Sequence, residues 1–164
     1  MATFTNETFR RHDGYFTPKS AWEAIKEYIP QNKLIWECFY GNGDSARFLT
    51  ELGFDVISED INFYNHNMGE ILVSNPPFSD CANVLDRLAE LDLPFIMIMP
   101  VSKMSCRYFK KHQKFRDGIQ LISPARRINF GKWENNQLTP TSSVNFDCYY
   151  YCYKIGLPRD IIHL

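Results

Sequence analysis

The chain has 164 residues, a formal net charge of −1, and a composition that is 45% hydrophobic, 23% charged and 15% aromatic. Those proportions suit one globular domain and exclude collagen, coiled coil and wholesale disorder. The longest apolar run, Pro94 to Val101, is strand-sized and too short to span a membrane, and the polar, mixed-charge start of the chain is not a signal peptide.

Residues 1–14 read as a flexible arm, and residues 15–164 as a single domain. Thr17-Pro18 is a helix start, since Thr caps and Pro suits the first turn. Ala21, Trp22, Ile25, Tyr28 and Ile29 then recur at helical spacing until Pro30. Lys33 to Cys38 predicts a buried strand and Gly41-Asn42-Gly43 a glycine turn. Ser45 to Leu52 predicts a helix ended by Gly53, and Phe54 to Ser58 a second strand. Ile71 to Ser74 is a third strand, stopped by Pro76-Pro77. Asp80 to Leu91 is a helix, Phe95 to Met99 a fourth strand, Ser102 to His112 a basic helix, and Ile119 to Ser123 a fifth strand. Arg127 to Phe130 and Val144 to Ile155 predict two arms of a closing antiparallel pair, with a polar loop, Gly131 to Ser143, between them.

Strands alternating with helices predict an α/β fold: a mostly parallel sheet with helices on both faces and the antiparallel pair at one edge. In such sheets ligands bind beyond the carboxyl ends of the strands. That rule places Glu37 to Gly43, Asp60 and Asn75 to Phe78 on one rim.

Charge is distributed unevenly. Residues 1–100 hold 7 Lys/Arg and 15 Asp/Glu, whereas residues 103–132 hold 9 Lys/Arg and the single acid Asp117. Arg107, Lys110, Lys111, Arg126, Arg127 and Lys132 therefore form a candidate surface for a polyanion, contacts that would position a nucleic acid without reading its sequence. The five cysteines are odd in number and lack Cys-x-x-Cys spacing, which points to a reducing, intracellular and cytoplasmic setting. Cys148 and Cys152 share one strand face and read as core thiols. The four histidines lie far apart without ligand spacing, so no metal is expected.

Asn75-Pro76-Pro77-Phe78 carries the chemistry. The lone pair of an exocyclic amine on an aromatic base is delocalised into the ring. The Asn75 amide oxygen and the Pro76 carbonyl can both accept its N–H bonds, which favours a pyramidal nitrogen with its lone pair turned outwards. The prolines hold the carbonyl rigid, and Phe78 offers a face for a planar base. Positioning and electrostatics can supply the rate without a shifted general base or a metal.

These pieces resemble the S-adenosylmethionine-dependent amino-methyltransferases, most closely small phage- or virus-type DNA adenine-N6 methyltransferases. The resemblance runs from Phe16-Thr17-Pro18, through Glu37-Cys38-Phe39-Tyr40-Gly41-Asn42-Gly43 and Asp60, to Asn75-Pro76-Pro77-Phe78, with a weaker echo in Arg127-Ile128-Asn129-Phe130-Gly131. It implies a Rossmann-like methyltransferase fold and S-adenosyl-L-methionine as cofactor. It implies that Phe16, Thr17 and Pro18 form the cofactor's N-terminal wall, that Glu37 meets its ammonium, and that Gly41 and Gly43 admit its methionine part. Asp60, with Glu59 as the alternative in register, would accept the ribose hydroxyls, and Asn75, Pro76 and Phe78 would be catalytic. The implied product is N6-methyladenine in nucleic acid, DNA ahead of RNA. One alternative is methylation of a protein glutamine amide, a reading that the basic segment disfavours. The other is a non-catalytic methyltransferase-like subunit.

Two departures accompany the resemblance. Only Ile61 to Gly69 separates the second strand from the strand bearing Asn75, where the family has a helix, a strand and another helix, so the sheet must be trimmed. Asn62 and Phe63 are the candidates left there for the cofactor's adenine. No target-recognition domain is expected, so target choice would fall to loops, a partner subunit or an oligomer.

Overall fold

The computed structural model describes residues 15–134, 137–140 and 147–164; the predicted arm, residues 1–14, lies outside them. A small sheet joins β1 (Tyr15–Phe16) to two later strands described below. Seven strands form the main sheet. In chain order they are β2 (Ile35–Trp36), β3 (Val56–Ile57), β4 (Ile71–Ser74), β5 (Phe95–Pro100), β6 (Ile119–Ser123), β9 (Cys148–Tyr153) and β10 (Ile161–His163). The spatial order is β10-β6-β9-β5-β4-β2-β3. All neighbours pair in parallel except at β9, which is antiparallel to both β5 and β6. The partners of β1 in the small sheet are β7 (Gly131–Glu134) and, beyond it, β8 (Gln137–Pro140).

The mostly parallel sheet flanked by helices is the Rossmann-like fold expected. The position of its antiparallel strand differs. β9 does not pair with Arg127–Phe130 at an edge but inserts between β5 and β6, with Ile96 opposite Cys152 and Leu121 opposite Tyr151. Arg127–Phe130 is irregular, and part of the predicted polar loop is instead the β7–β8 hairpin. The outermost strand beyond β6 is β10, three residues long and too short to signal itself in sequence. On the other side β3 closes the sheet, so the short stretch 61–69 does trim it.

Strand alternation sorts the core onto two faces. Ile71, Val73, Ile96, Ile98, Cys148, Tyr150 and Cys152 meet Trp22 and Ile25 of the N-terminal helical segment and Leu49 of α2 (Asp44–Glu51). Leu72, Phe95, Met97, Met99, Tyr151 and Tyr153 meet Leu85 and Leu88 of α3 (Cys81–Leu91). The tyrosines of β9 also tie the layers through their hydroxyls: Tyr150 donates to Ala21 O at 2.6 Å, Tyr151 to Pro100 O at 2.6 Å, and Tyr153 to Asp92 Oδ1 at 2.6 Å. Both cysteines of β9 are buried free thiols.

Two predicted helices are interrupted. The first is α1 (Lys19–Glu23) followed by a 3-10 turn at Lys26–Tyr28. Ile25 leaves the helical region at φ −112°, and Ile29 is extended ahead of Pro30, as a residue before proline prefers. The predicted basic helix is a 3-10 segment, Val101–Ser105, then α4 (Arg107–Lys110), with α5 (Gln113–Gly118) after it. Ser105 Oγ donates to Ser102 O at 2.8 Å, a local bond that competes with a continuous helix, and Cys106 is extended. Among the described residues no helix is long and apolar enough to cross a membrane.

Candidate active site

Because β2, β3, β4, β5 and β6 point the same way, their carboxyl ends share one rim. At that rim β2 continues into Glu37, whose N–H still bonds Ile57 O at 3.0 Å, and the chain then reverses through Tyr40–Gly43 into α2. Gly41 has φ +57° and Gly43 φ +83°, left-handed conformations that L side chains resist. A Cβ on Gly41 would also stand 3.5 Å from Phe16 Cε1. Asn42 fastens the turn, accepting the Asp44 N–H at 3.0 Å and donating to Asp44 Oδ2 at 2.9 Å.

The turn borders an open concavity. Five expected residues line it: Phe16, Thr17, Glu37, Gly41 and Asn75. Phe39, Tyr40 and Asn42, which belong to the expected rim segment without an assigned role, line it as well, and so does Ser45, which the sequence does not mark as a ligand. Ser45 is held there by the Trp22 indole, which donates to Ser45 Oγ at 3.2 Å. That bond links positions 22 and 45, and no local pattern announces it.

Three buried oxygens of this concavity have no hydrogen-bond partner among the described residues: Thr17 Oγ1, Glu37 Oε2 and Asn75 Oδ1. Leaving buried polar atoms unpaired is costly and uncommon in folded proteins. All three belong to residues that line one hollow, which suits it to a ligand that brings hydrogen-bond donors. The glycine turn leaves room for close approach, so Thr17, Glu37 and Gly41 fit the methionine end of S-adenosylmethionine, a cationic donor, while Asn75 stands at the same hollow.

Glu37 is only 1% exposed. Burial pushes its carboxyl up to about 8, although the Ser74 hydroxyl and the Phe39 N–H, the latter at 3.2 Å, both donate to its other oxygen. The folded protein therefore holds a proton that the unfolded chain, with its carboxyl near 4.5, releases. Between those two values stability should fall as pH rises, because the native state binds more protons there. Glu37→Gln should remove that part of the slope. Urea midpoints of both proteins, taken at the two ends of the window, will show it; equal slopes would place the ionisation elsewhere.

Asn75 follows β4, and Pro76 and Pro77 are buried behind it. Phe78 opens a 3-10 turn, Phe78–Asp80, and meets Phe130 edge-on at a centroid distance of 5.9 Å. Pro18 caps α1 beside the concavity but does not line it, and Gly43 caps α2. Asp60 and Glu59 are exposed beyond β3 and also lie outside its lining. Asn62 and Phe63, the candidates for an adenine contact, are otherwise engaged. Phe63 is fully buried against Phe39 and Trp36, at 4.8 Å and 5.8 Å, and Asn62 Oδ1 caps the Tyr64 N–H at 2.9 Å.

The basic residues divide. Lys111 pairs with Asp86 at 2.8 Å and Arg127 with Asp147 at 2.7 Å. Arg107, Lys110 and Arg126 are exposed and enter no ion pair among the described residues. Arg126 follows the carboxyl end of β6, so it belongs to the same rim as Asn75. Lys132 lies on β7, but its side chain is outside the described set. Among the described residues no three His, Cys, Asp or Glu side chains gather to hold a metal ion.

No protein-family model and no curated protein matches the sequence. Solved structures do match the fold. A protein of Pyrococcus horikoshii, provisionally named as an RNA methyltransferase, superposes over 93% of this chain and 92% of its own, with a TM-score of 0.58 at 15% identity. The 23S rRNA methyltransferase ErmE superposes over 85% of this chain and 70% of its own, with a TM-score of 0.52 at 11% identity. At that identity the likeness is one of fold: the chain has a Rossmann-like methyltransferase fold.

Proposed function

We propose that the protein is an S-adenosylmethionine-dependent methyltransferase acting on the exocyclic N6 amine of adenine in nucleic acid, with RNA preferred over DNA. The observation that carries the reading is that Thr17, Glu37 and Asn75, each with a buried oxygen that has no partner among the described residues, line one hollow beside the Gly41–Gly43 turn. The two solved structures of the same fold named above bear RNA-modifying names, and this turns the preference from DNA to RNA.

Bound S-adenosylmethionine supplies a methyl group as an electrophilic carbon on sulfur. Phe16, Thr17, Glu37 and Gly41 would hold it, Glu37 giving up its proton to become the carboxylate partner of the cofactor's ammonium. Asp60 is the proposed acceptor for the ribose hydroxyls, with Glu59 as the alternative. Asn75 Oδ1 and the Pro76 carbonyl would accept the two N–H bonds of the target amine, turning its lone pair towards the methyl carbon. Phe78 would stack on the base. A base within a duplex would first have to be flipped out, a cost that unpaired RNA avoids.

Arg107, Lys110 and Arg126 are the proposed phosphate-binding residues. Neutralising all three should weaken RNA binding and flatten its salt dependence, the log–log slope falling by roughly 0.7 to 0.9 for each phosphate no longer neutralised. Isotherms at several salt concentrations will show this. Binding unmoved by salt and by these substitutions would remove the polyanion and favour a protein amide as substrate. The function itself is tested by incubating the protein with methyl-labelled S-adenosylmethionine and RNA, DNA or protein, then digesting each and locating the methyl by mass spectrometry. N6-methyladenosine is the expected product. Label in glutamine, or in nothing, would replace this reading with one of the alternatives.

A further inference from the structure

We infer that Tyr64 is a positioning residue, whose hydroxyl donates to Asp80 and so fixes the turn that carries Phe78; the inference rests on the reaction proposed above. The turn Phe78–Asp80 follows two prolines and is bonded within itself by the Asp80 N–H to Pro77 O at 3.1 Å. Its far end is Asp80, which also begins α3. Asp80 Oδ1 accepts from Asn83 Nδ2 at 2.8 Å, which ties it to the helix, and Asp80 Oδ2 accepts from Tyr64. A residue two positions from the base-stacking ring is thus held from two sides.

Tyr64 is itself firmly placed. It is 6% exposed and sits edge-on to Phe63, with centroids 5.2 Å apart. Its N–H is capped by Asn62. Arg87 of α3 fastens the same stretch, with Nε donating to Phe63 O at 3.3 Å and a terminal nitrogen donating to His66 O at 3.0 Å. The stretch 61–69, which stands where the family has a helix, strand and helix, is therefore anchored to α3 at one end of the base-binding turn. Burial, with Asp80 next in effect, holds the Tyr64 phenol well above its ordinary range, so it remains a donor throughout working pH. The short connection is more than a shortcut across the sheet: it supplies the strut for the stacking face.

Tyr64→Phe keeps the buried ring and deletes only the hydroxyl; Asp80, half-buried, can take water in its place. The thermal midpoint should fall by at most a few degrees, and the affinity for S-adenosylhomocysteine should stay as it is. Turnover on an adenine-containing RNA oligonucleotide should fall about ten- to a hundredfold, in kcat rather than in KM, because misplacing a reactant by about 1 Å costs that much while the phosphate-binding residues lie elsewhere. Asp80→Ala should lose a similar factor, and the double variant no more than either alone. Asp80→Asn, still an acceptor, should restore most of the rate. Hydrogen exchange in residues 78–83 should speed up in Tyr64→Phe and not in Asp80→Asn. Full turnover in Tyr64→Phe, or unaltered exchange, overturns the inference. Wild-type protein that methylates neither RNA nor DNA ends the functional reading and the positioning role together, while faster exchange in Tyr64→Phe would then mark the pair as a structural tie only.

Discussion

Asn75→Ala should slow single-turnover methyl transfer by about a hundredfold or more, the range seen when one preorganised electrostatic partner is removed. The amide oxygen accepts an N–H bond that strengthens as the amine becomes pyramidal and gains positive charge. The interaction is tighter in the transition state than before it, so its loss falls on the rate more than on substrate binding. The structure adds a second signature. Asn75 Oδ1 is buried with no partner among the described residues, so truncation strands no protein donor and lifts a desolvation cost. Asn75→Ala should therefore be slow yet no less stable than wild type, and its S-adenosylhomocysteine affinity should change little. Asn75→Asp, which still accepts, should be milder. A near-normal rate in Asn75→Ala would reduce Asn75-Pro76-Pro77-Phe78 to a rigid turn and move the amine-binding contact to other residues.

The largest effect on stability is expected at Gly69, which is not among the residues that line the hollow. A Cβ there would lie 2.8 Å from Trp36 Cβ, 2.9 Å from Trp36 N and 3.0 Å from Leu34 O. Two of those atoms are backbone of the segment leading through β2, so no side chain can swing aside. Gly69→Ala must part β2 from the chain entering β4, at a cost of about 3 kcal/mol, the upper range for overpacking. For a domain of this size that corresponds to roughly 6–12 °C in thermal midpoint. Gly53→Ala is the control: its φ is +98° but nothing lies within 4 Å, so only backbone strain is added, about 1–2 kcal/mol. Equal midpoints for the two variants would show that the close approach at Gly69 opens without cost.

How much of this is legible in the sequence depends on how local each determinant is. β4, β6 and α3 follow from runs of apolar residues with clear stops, and they appear within a residue or so of expectation. The rim motifs are local too, and Phe16, Thr17, Glu37, Gly41 and Asn75 do meet around one hollow. The slot taken by β9 is not local: a tyrosine-rich strand is equally suited to an edge or the middle, and only its partners decide. The roles of Ser45 and Tyr64 depend on Trp22 and Asp80, distant in sequence, and a single sequence carries no sign of such pairs. Phe63 misleads because an aromatic next to a strand end suits a ligand and a core equally well. The segment 101–112 misleads because apolar and basic spacing is blind to the Ser105–Ser102 bond that breaks the helix.

The pairing of β1 with β7 has a consequence for how the protein is made. Phe16, a wall of the hollow, is opposite Gly131 in the small sheet. A ribosome delivers the first wall early and its brace more than a hundred residues later. A two-residue strand has no stability of its own, and closing so long a loop is entropically costly until the large sheet has drawn its ends together. The hollow thus cannot be completed before that hairpin is made, and a nascent chain released earlier would carry Glu37 and Asn75 without the strand partner of the Phe16 wall.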